Sequence, residues 1–221
     1  MSREVRITPS ILNANLDDLA TEIKRIADVS DLVHLDIMDD QFVPNFTFDF
    51  ESASKIVKES VLSVDAHLMV IDADAIAPQY AQIGCASVTV HAEATKDIAR
   101  TLRAIRSEGA RSGLAVKPNT DIADYADFSD LVDMFLIMTV EPGFGGQRFM
   151  VDMVEKIQKA RSIIGSRPIW LQVDGGICEE TIGIAAAAGA DTFVAGSAVF
   201  RSQDPAHMVT KLRQLAMSVP E

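Results

Sequence analysis

The chain has 221 residues, with 32 acidic against 20 basic side chains, a formal net charge of −12, and 48% hydrophobic but only 6% aromatic residues. That length supplies one large domain or two small ones with ample core. The acidic balance excludes a nucleic-acid binder, which holds phosphate backbones with excess Lys and Arg. An acidic protein that handled an anion would need a local reversal of its field. Cys85 and Cys178 cannot form a disulfide framework and read as reduced thiols of a cytoplasmic protein. The opening MSREVRITPS has no apolar core of signal-peptide length, and no run is long enough for a membrane helix. Nothing resembles a linker, so one domain over 1–221 is expected.

Short, β-branched apolar runs predict strands at 5–10, 32–37, 63–68, 87–91, 112–116, 134–139, 169–173 and 192–195. Helical periodicity lies between them. Leu16, Leu19, Ile23 and Ile26 share one face, as do Ile98, Leu102 and Ile105, and Met150, Met153, Ile157 and Ala160. The strands read as apolar nearly throughout, as in a sheet covered by helices. Alternating strands and helices at roughly 28 residues per unit predict an α/β fold, a (β/α)8 TIM barrel. An open doubly wound sheet is the rival, but its first turn would be glycine-rich, and here that turn is Pro9-Ser10-Ile11-Leu12.

Active sites of such barrels lie at the C-terminal ends of the strands. Those ends carry Ser10, His34-Leu35-Asp36-Ile37-Met38-Asp39, Asp65-Ala66-His67-Leu68-Met69, His91-Ala92-Glu93, Lys117, Asp174-Gly175-Gly176 and Gly196-Ser197. Three of the four histidines fall there; the fourth, His207, reads as a surface residue. His34 and Asp36 are two apart on a strand and so face the same side. With His67 and Asp174 they make a mixed nitrogen–oxygen set that suits one divalent cation, Zn²⁺, Fe²⁺ or Mn²⁺. Any one of the four alone reads equally well as a hydrogen-bonded rim residue. Met38, Met69 and Met138 sit near the same level, either as core filler or as an apolar cap that excludes water. Three glycine segments, Gly143-Phe144-Gly145-Gly146, Gly175-Gly176 and Gly196-Ser197, fall on successive units, where these barrels bind phosphate through backbone N–H groups.

These residues, together with Thr8-Pro9-Ser10-Ile11-Leu12, Phe42-Val43-Pro44-Asn45 and the run from Met138 to Gln147, resemble the ribulose-phosphate 3-epimerases over about residues 7–200. The resemblance implies interconversion of ribulose 5-phosphate and xylulose 5-phosphate in the pentose phosphate pathway. It implies His34, Asp36, His67 and Asp174 as metal ligands, and Asp36 and Asp174 as the acid–base pair. It assigns Ser10 and His67 to the sugar, the glycine segments to its phosphate, and a homo-oligomer, dimer or hexamer, as the assembly. Asp40, Gln41 and Asp49 depart from the family pattern in one loop, which leaves substrate preference open.

The chemistry explains the pair of acids. Inverting carbon 3 beside a ketone takes a proton from one face and returns one to the other, which asks for two opposed carboxylates. A cation stabilises the developing charge. A 3-epimerase of a six-carbon ketose phosphate such as allulose 6-phosphate, a sugar-phosphate lyase, and a non-catalytic sugar-phosphate- or metal-binding barrel are the alternatives. His91 and Glu93 read as orienters of the ligands or as rim polar groups. Lys117 reads as a charge near the substrate or as a structural ion pair. Asp39 is a candidate support for a ligand histidine, and Cys178 reads as inert.

Overall fold

A computed structural model describes residues 4–219. Eight parallel strands, β1 (Arg6–Thr8), β2 (Val33–Met38), β3 (Val64–Met69), β4 (Ser87–His91), β5 (Arg111–Val116), β6 (Met134–Met138), β7 (Trp170–Asp174) and β8 (Thr192–Val194), pair in the order β1-β8-β7-β6-β5-β4-β3-β2. β1 and β2 meet through a single parallel bridge, Ser10 to His34, with His34 N–H donating to the Pro9 carbonyl at 2.9 Å. The barrel is thus nearly closed, and the seam lies next to the first candidate ligand.

Around the strands run α1 (Leu19–Ile26), α2 (Phe50–Glu59), α3 (Ala73–Gln82), α4 (Ile98–Ser107), α5 (Met153–Ile164), α6 (Ile182–Ala188), α7 (Ser197–Phe200) and α8 (Pro205–Met217). The fifth unit carries a 3-10 stretch, Ile122–Asp130, in place of an α-helix. None of the helices among the described residues is long and apolar enough to cross a membrane.

Two helix faces differ from the sequence reading. Leu16 is 52% exposed, because Asn15 and Asp18 accept hydrogen bonds from the N–H groups of Asp17 and Thr21 and start α1 only at Leu19. Met150 precedes α5, and its N–H goes to the Thr139 carbonyl at 2.8 Å.

The strands are not apolar throughout. One set of alternate residues, including Ile7, Leu35, Leu68, Val90, Leu114, Ile137, Val173 and Phe193, packs outward in the main core. The other set points inward and is rich in buried polar groups: Thr8, His34, Asp36, Asp65, His67, Ser87, Thr89, His91 and Gln172. At the N-terminal end the barrel is plugged by Trp170, with the Arg6 and Arg111 guanidiniums 4.0 and 4.2 Å from its ring centroid. The apolar outer layer supplies stability, and the polar interior supplies chemistry.

Cys85 is sealed in this core, and burial pushes its thiol up to about 12. Cys178 is partly exposed. A thiol reagent at pH 8 is expected to modify Cys178 and leave Cys85 untouched until the protein unfolds. Modification of both thiols at one rate in the native protein would contradict this placement.

Candidate active site

β2, β3 and β7 bring His34, Asp36, His67 and Asp174 to one point, with one ligand atom from each within 4.8 Å of the others. His34 Nε2 lies 3.4 Å from Asp36 Oδ1 and 3.9 Å from Asp174 Oδ2. His67 Nδ1 lies 3.3 Å from Asp36 Oδ1 and 3.6 Å from Asp174 Oδ2, and the two facing imidazole nitrogens are 3.4 Å apart. A tetrahedral site with bonds of about 2.1 Å has edges of about 3.4 Å, so a divalent cation fits between these donors with little movement.

The electrostatics agree with that fit. Burial lowers the proton affinity of His34, but the Asp36 charge and hydrogen bonds to Asp36 and Asp65 outweigh it and hold its pKa well above the usual value. Burial would raise Asp36, but His34 and His67 hold it far below the carboxylate range. The cluster concentrates negative charge on lone pairs aimed inward, which protons satisfy in the absence of a cation and a metal satisfies in its presence.

A cleft opens above the cluster, lined by Ser10, Asp36, Asp174, the methionines and the glycine segments. His34 and His67 are fully buried behind it. Ser10 Oγ donates to Asp36 Oδ2 at 2.5 Å. Met38 and Met69 pack with Val43, and Met138 with Ala115, Leu136 and Val140, so the cleft has two apolar patches beside its carboxylates.

The glycine segments meet at the far end of the cleft. A Cβ on Gly176 would stand 2.2 Å from the Phe149 nitrogen, and one on Gly175 2.5 Å from Val140, so only glycine permits this close approach of the turn after β7 to the loop after β6. Asn13 lies against both Gly145 and Gly196 and spans two of the segments.

The loop after β2 is tied to the first glycine segment and back to β2. Asn45 Nδ2 donates to the Gly143 carbonyl at 2.8 Å, and Thr47 Oγ donates to the Asp36 carbonyl at 2.7 Å. Asp39 does not support a ligand histidine. Its carboxylate accepts from the N–H groups of Gln41, Phe42 and Ile71, and so ties this loop to the end of β3. Asp40 has φ +57°, the left-handed region where the family pattern has glycine. Asp49 caps α2 by accepting from Ser52 N–H at 2.8 Å, and Gln41 is exposed. These three departures shape the loop and stay out of the cleft lining.

A family model described as the ribulose-phosphate 3 epimerase family matches residues 6–200. The chain belongs to that family. A ribulose-phosphate 3-epimerase of Rhodobacter capsulatus is 44% identical over 200 residues, covering 90% of this chain and 87% of the relative. Those of Mycobacterium tuberculosis (strain H37Rv) and Bacillus subtilis are 42% and 34% identical, each over 95% of this chain and over 92% and 98% of their own lengths. Among solved structures, a 3-hexulose-6-phosphate synthase from Salmonella typhimurium superposes with a TM-score of 0.71 at 18% identity, covering 96% of this chain and 99% of its own. KGPDC from Streptococcus mutans superposes with a TM-score of 0.71 at 14% identity, covering 98% of this chain and 99% of its own. These structures share the TIM-barrel fold.

Several site-building residues were given no role in the sequence reading. Asp65 accepts from His34 Nδ1 at 2.8 Å, Ser87 Oγ at 2.6 Å and Gln172 Nε2 at 2.7 Å, all fully buried. Asp65 lies two residues before His67 on one face of β3, so strand parity alone placed it inside the barrel. Arg201, at the end of α7, lies with its guanidinium 3.7 Å from where a Cβ on Gly146 would stand. An exposed full positive charge therefore stands beside Gly146, one of the cleft-lining glycines, where only backbone dipoles were expected. Nothing in the local pattern of the sequence marked it.

Proposed function

We propose that this chain, as one catalytic barrel over residues 1–221, is a metal-dependent epimerase that interconverts D-ribulose 5-phosphate and D-xylulose 5-phosphate. The observation that carries the reading is the pair Asp36 and Asp174. They reach the same histidines from β2 and β7, yet both also face the cleft. His34, Asp36, His67 and Asp174 would hold the cation, and when bound it stabilises negative charge developing on the substrate's oxygens.

The chain's own residues do the rest. One aspartate takes the proton from carbon 3, leaving an enediolate, and the other, protonated, delivers one to the opposite face. The roles exchange with direction. Ser10 directs the Asp36 carboxylate through its hydrogen bond, and Ser10 and the carboxylates line the cleft where they would meet the sugar's hydroxyls. Met38, Met69 and Met138 keep water from the enediolate without offering a competing acid. The segments at 143–146, 175–176 and 196–197 receive the phosphate on backbone N–H groups, and Arg201 adds its charge.

Arg201→Gln is therefore expected to raise KM about tenfold, ~1.4 kcal/mol of lost binding, with kcat unchanged. An unchanged KM in steady-state assays would remove Arg201 from the phosphate end.

The reading is tested by turnover of ribulose 5-phosphate and allulose 6-phosphate side by side, after chelation and re-metallation with Zn²⁺, Fe²⁺ or Mn²⁺. Selective conversion of the pentose phosphate supports it, and preference for the hexose phosphate would replace the substrate. Metal-loaded protein that binds ribulose 5-phosphate without converting it would make the chain a binding protein. Assembly as a dimer or hexamer belongs to the same proposal and is read by light scattering.

A further inference from the structure

The two buried histidines present different nitrogens to the cluster. His34 turns Nε2 inward and spends Nδ1 on Asp65. His67 turns Nδ1 inward, and its Nε2 lies 2.9 Å from Nε2 of a third histidine, His91. The His91 and His67 rings are tilted by 26° with centroids 5.0 Å apart, the edge-to-edge arrangement of that contact, and His91 Nδ1 lies 3.2 Å from Glu93 Oε2. Glu93 is itself fixed, because its Oε1 accepts from Lys117 N–H at 2.7 Å and it also bonds the Thr120 side chain. Phe42 covers His91 with a ring-centroid distance of 4.8 Å, the Lys117 ammonium sits 3.7 Å from the Phe42 centroid, and His91 is fully buried.

A neutral imidazole has one donor and one acceptor nitrogen, which fixes the direction of this chain of bonds. If His67 offers the Nδ1 lone pair to a cation, its Nε2 carries the proton and must donate to His91 Nε2. His91 then carries its proton on Nδ1 and donates to the Glu93 carboxylate. Each step leaves one arrangement for the next.

We infer that Glu93 and His91 are positioning residues that set the tautomer of His67, so that its Nδ1 faces a divalent cation as a lone pair. The inference rests on the metal site proposed above. Glu93 is the anchor, a carboxylate at the rim that acts on the ligand through one intervening ring. Second partners of this kind raise the basicity of a ligand and fix its orientation. Phe42 and Lys117 exclude water that would otherwise offer His91 a competing partner. Lys117 thereby has a role that needs neither the substrate nor an ion pair.

The test uses the full chain stripped by a chelator and titrated with Zn²⁺ against a chromophoric competitor. Glu93→Ala and His91→Phe are each expected to weaken zinc binding about 10–100-fold, read well below each variant's own unfolding temperature. Ring ¹⁵N shifts of the zinc-loaded, unsubstituted protein are expected to show His67 coordinated through Nδ1 and protonated on Nε2, a readout that needs no folded variant. Parent-like zinc affinity in both variants, or zinc held through His67 Nε2, would overturn the relay while leaving the metal site standing. An unsubstituted protein that binds no zinc would remove both.

Discussion

Asp36→Asn and Asp174→Asn are each expected to lower kcat by at least about 10³-fold, within the usual contribution of a positioned acid or base. The substitution preserves shape and volume, and both residues sit on strands whose ladders do not use the side chain. What changes is proton chemistry, because an amide neither accepts the carbon 3 proton nor returns one. Two further losses come from the geometry. In Asp36→Asn the new amide would still face Ser10 Oγ, but without the charge that now draws that bond to 2.5 Å. Either variant also removes one of four converging ligand atoms, so zinc affinity falls with turnover. Measuring both separates the effects: a variant re-saturated with metal and still inactive has lost its acid–base group. Recovery of parental kcat at saturating metal, in either variant, would reject the two-acid mechanism.

Asp65→Ala is the second large effect, and it falls on stability. Asp65 is fully buried and accepts from three donors: His34 Nδ1, Ser87 Oγ and Gln172 Nε2. Burial raises the proton affinity of its carboxyl, but the bonds from His34, Ser87 and Gln172 outweigh this and keep it ionised. Truncation strands all three donors in the barrel interior and should cost about 3–5 kcal/mol. It also frees His34 to place its proton on Nε2, where the cation would sit, so metal affinity falls by about 10–100-fold. Urea unfolding checks the first effect as a lower midpoint with an unchanged slope. A loss below about 1 kcal/mol would mean that the interior relaxes around the gap. Asp65→Asn keeps the volume and one acceptor, and should fall between the two.

The polar strand ends made the active face legible in the sequence. His34 and Asp36 declare a shared side by their spacing alone, and His67 and Asp174 recur at matching depth on other strands. The layer beneath was hidden for a physical reason. Asp65, Ser87 and Gln172 lie inside strands that alternate with large apolar residues, and the outward core made those strands look wholly apolar. Parity counted from His67 would have exposed Asp65, but pairing Gln172 with it needed the closed barrel.

Local hydrogen bonding explains the misplaced helix start. Leu16 has helical spacing with Leu19 and Ile23, yet side-chain caps from Asn15 and Asp18 win over periodicity. Arg201 lay beyond any strand-end argument, because only the turn of α7 returns it to Gly146. The acidic net charge gave no sign of it, since a sum over distant, solvated carboxylates does not report where a single cation stands.

Proton exchange at carbon 3 between two aspartates in a metal-loaded site underlies the proposed epimerase. Its most direct test is conversion of ribulose 5-phosphate by the re-metallated protein in D₂O, with the product read by NMR. Xylulose 5-phosphate carrying deuterium at carbon 3 is the expected product. Metal-loaded protein, with one ion per chain, that forms no xylulose 5-phosphate would contradict it.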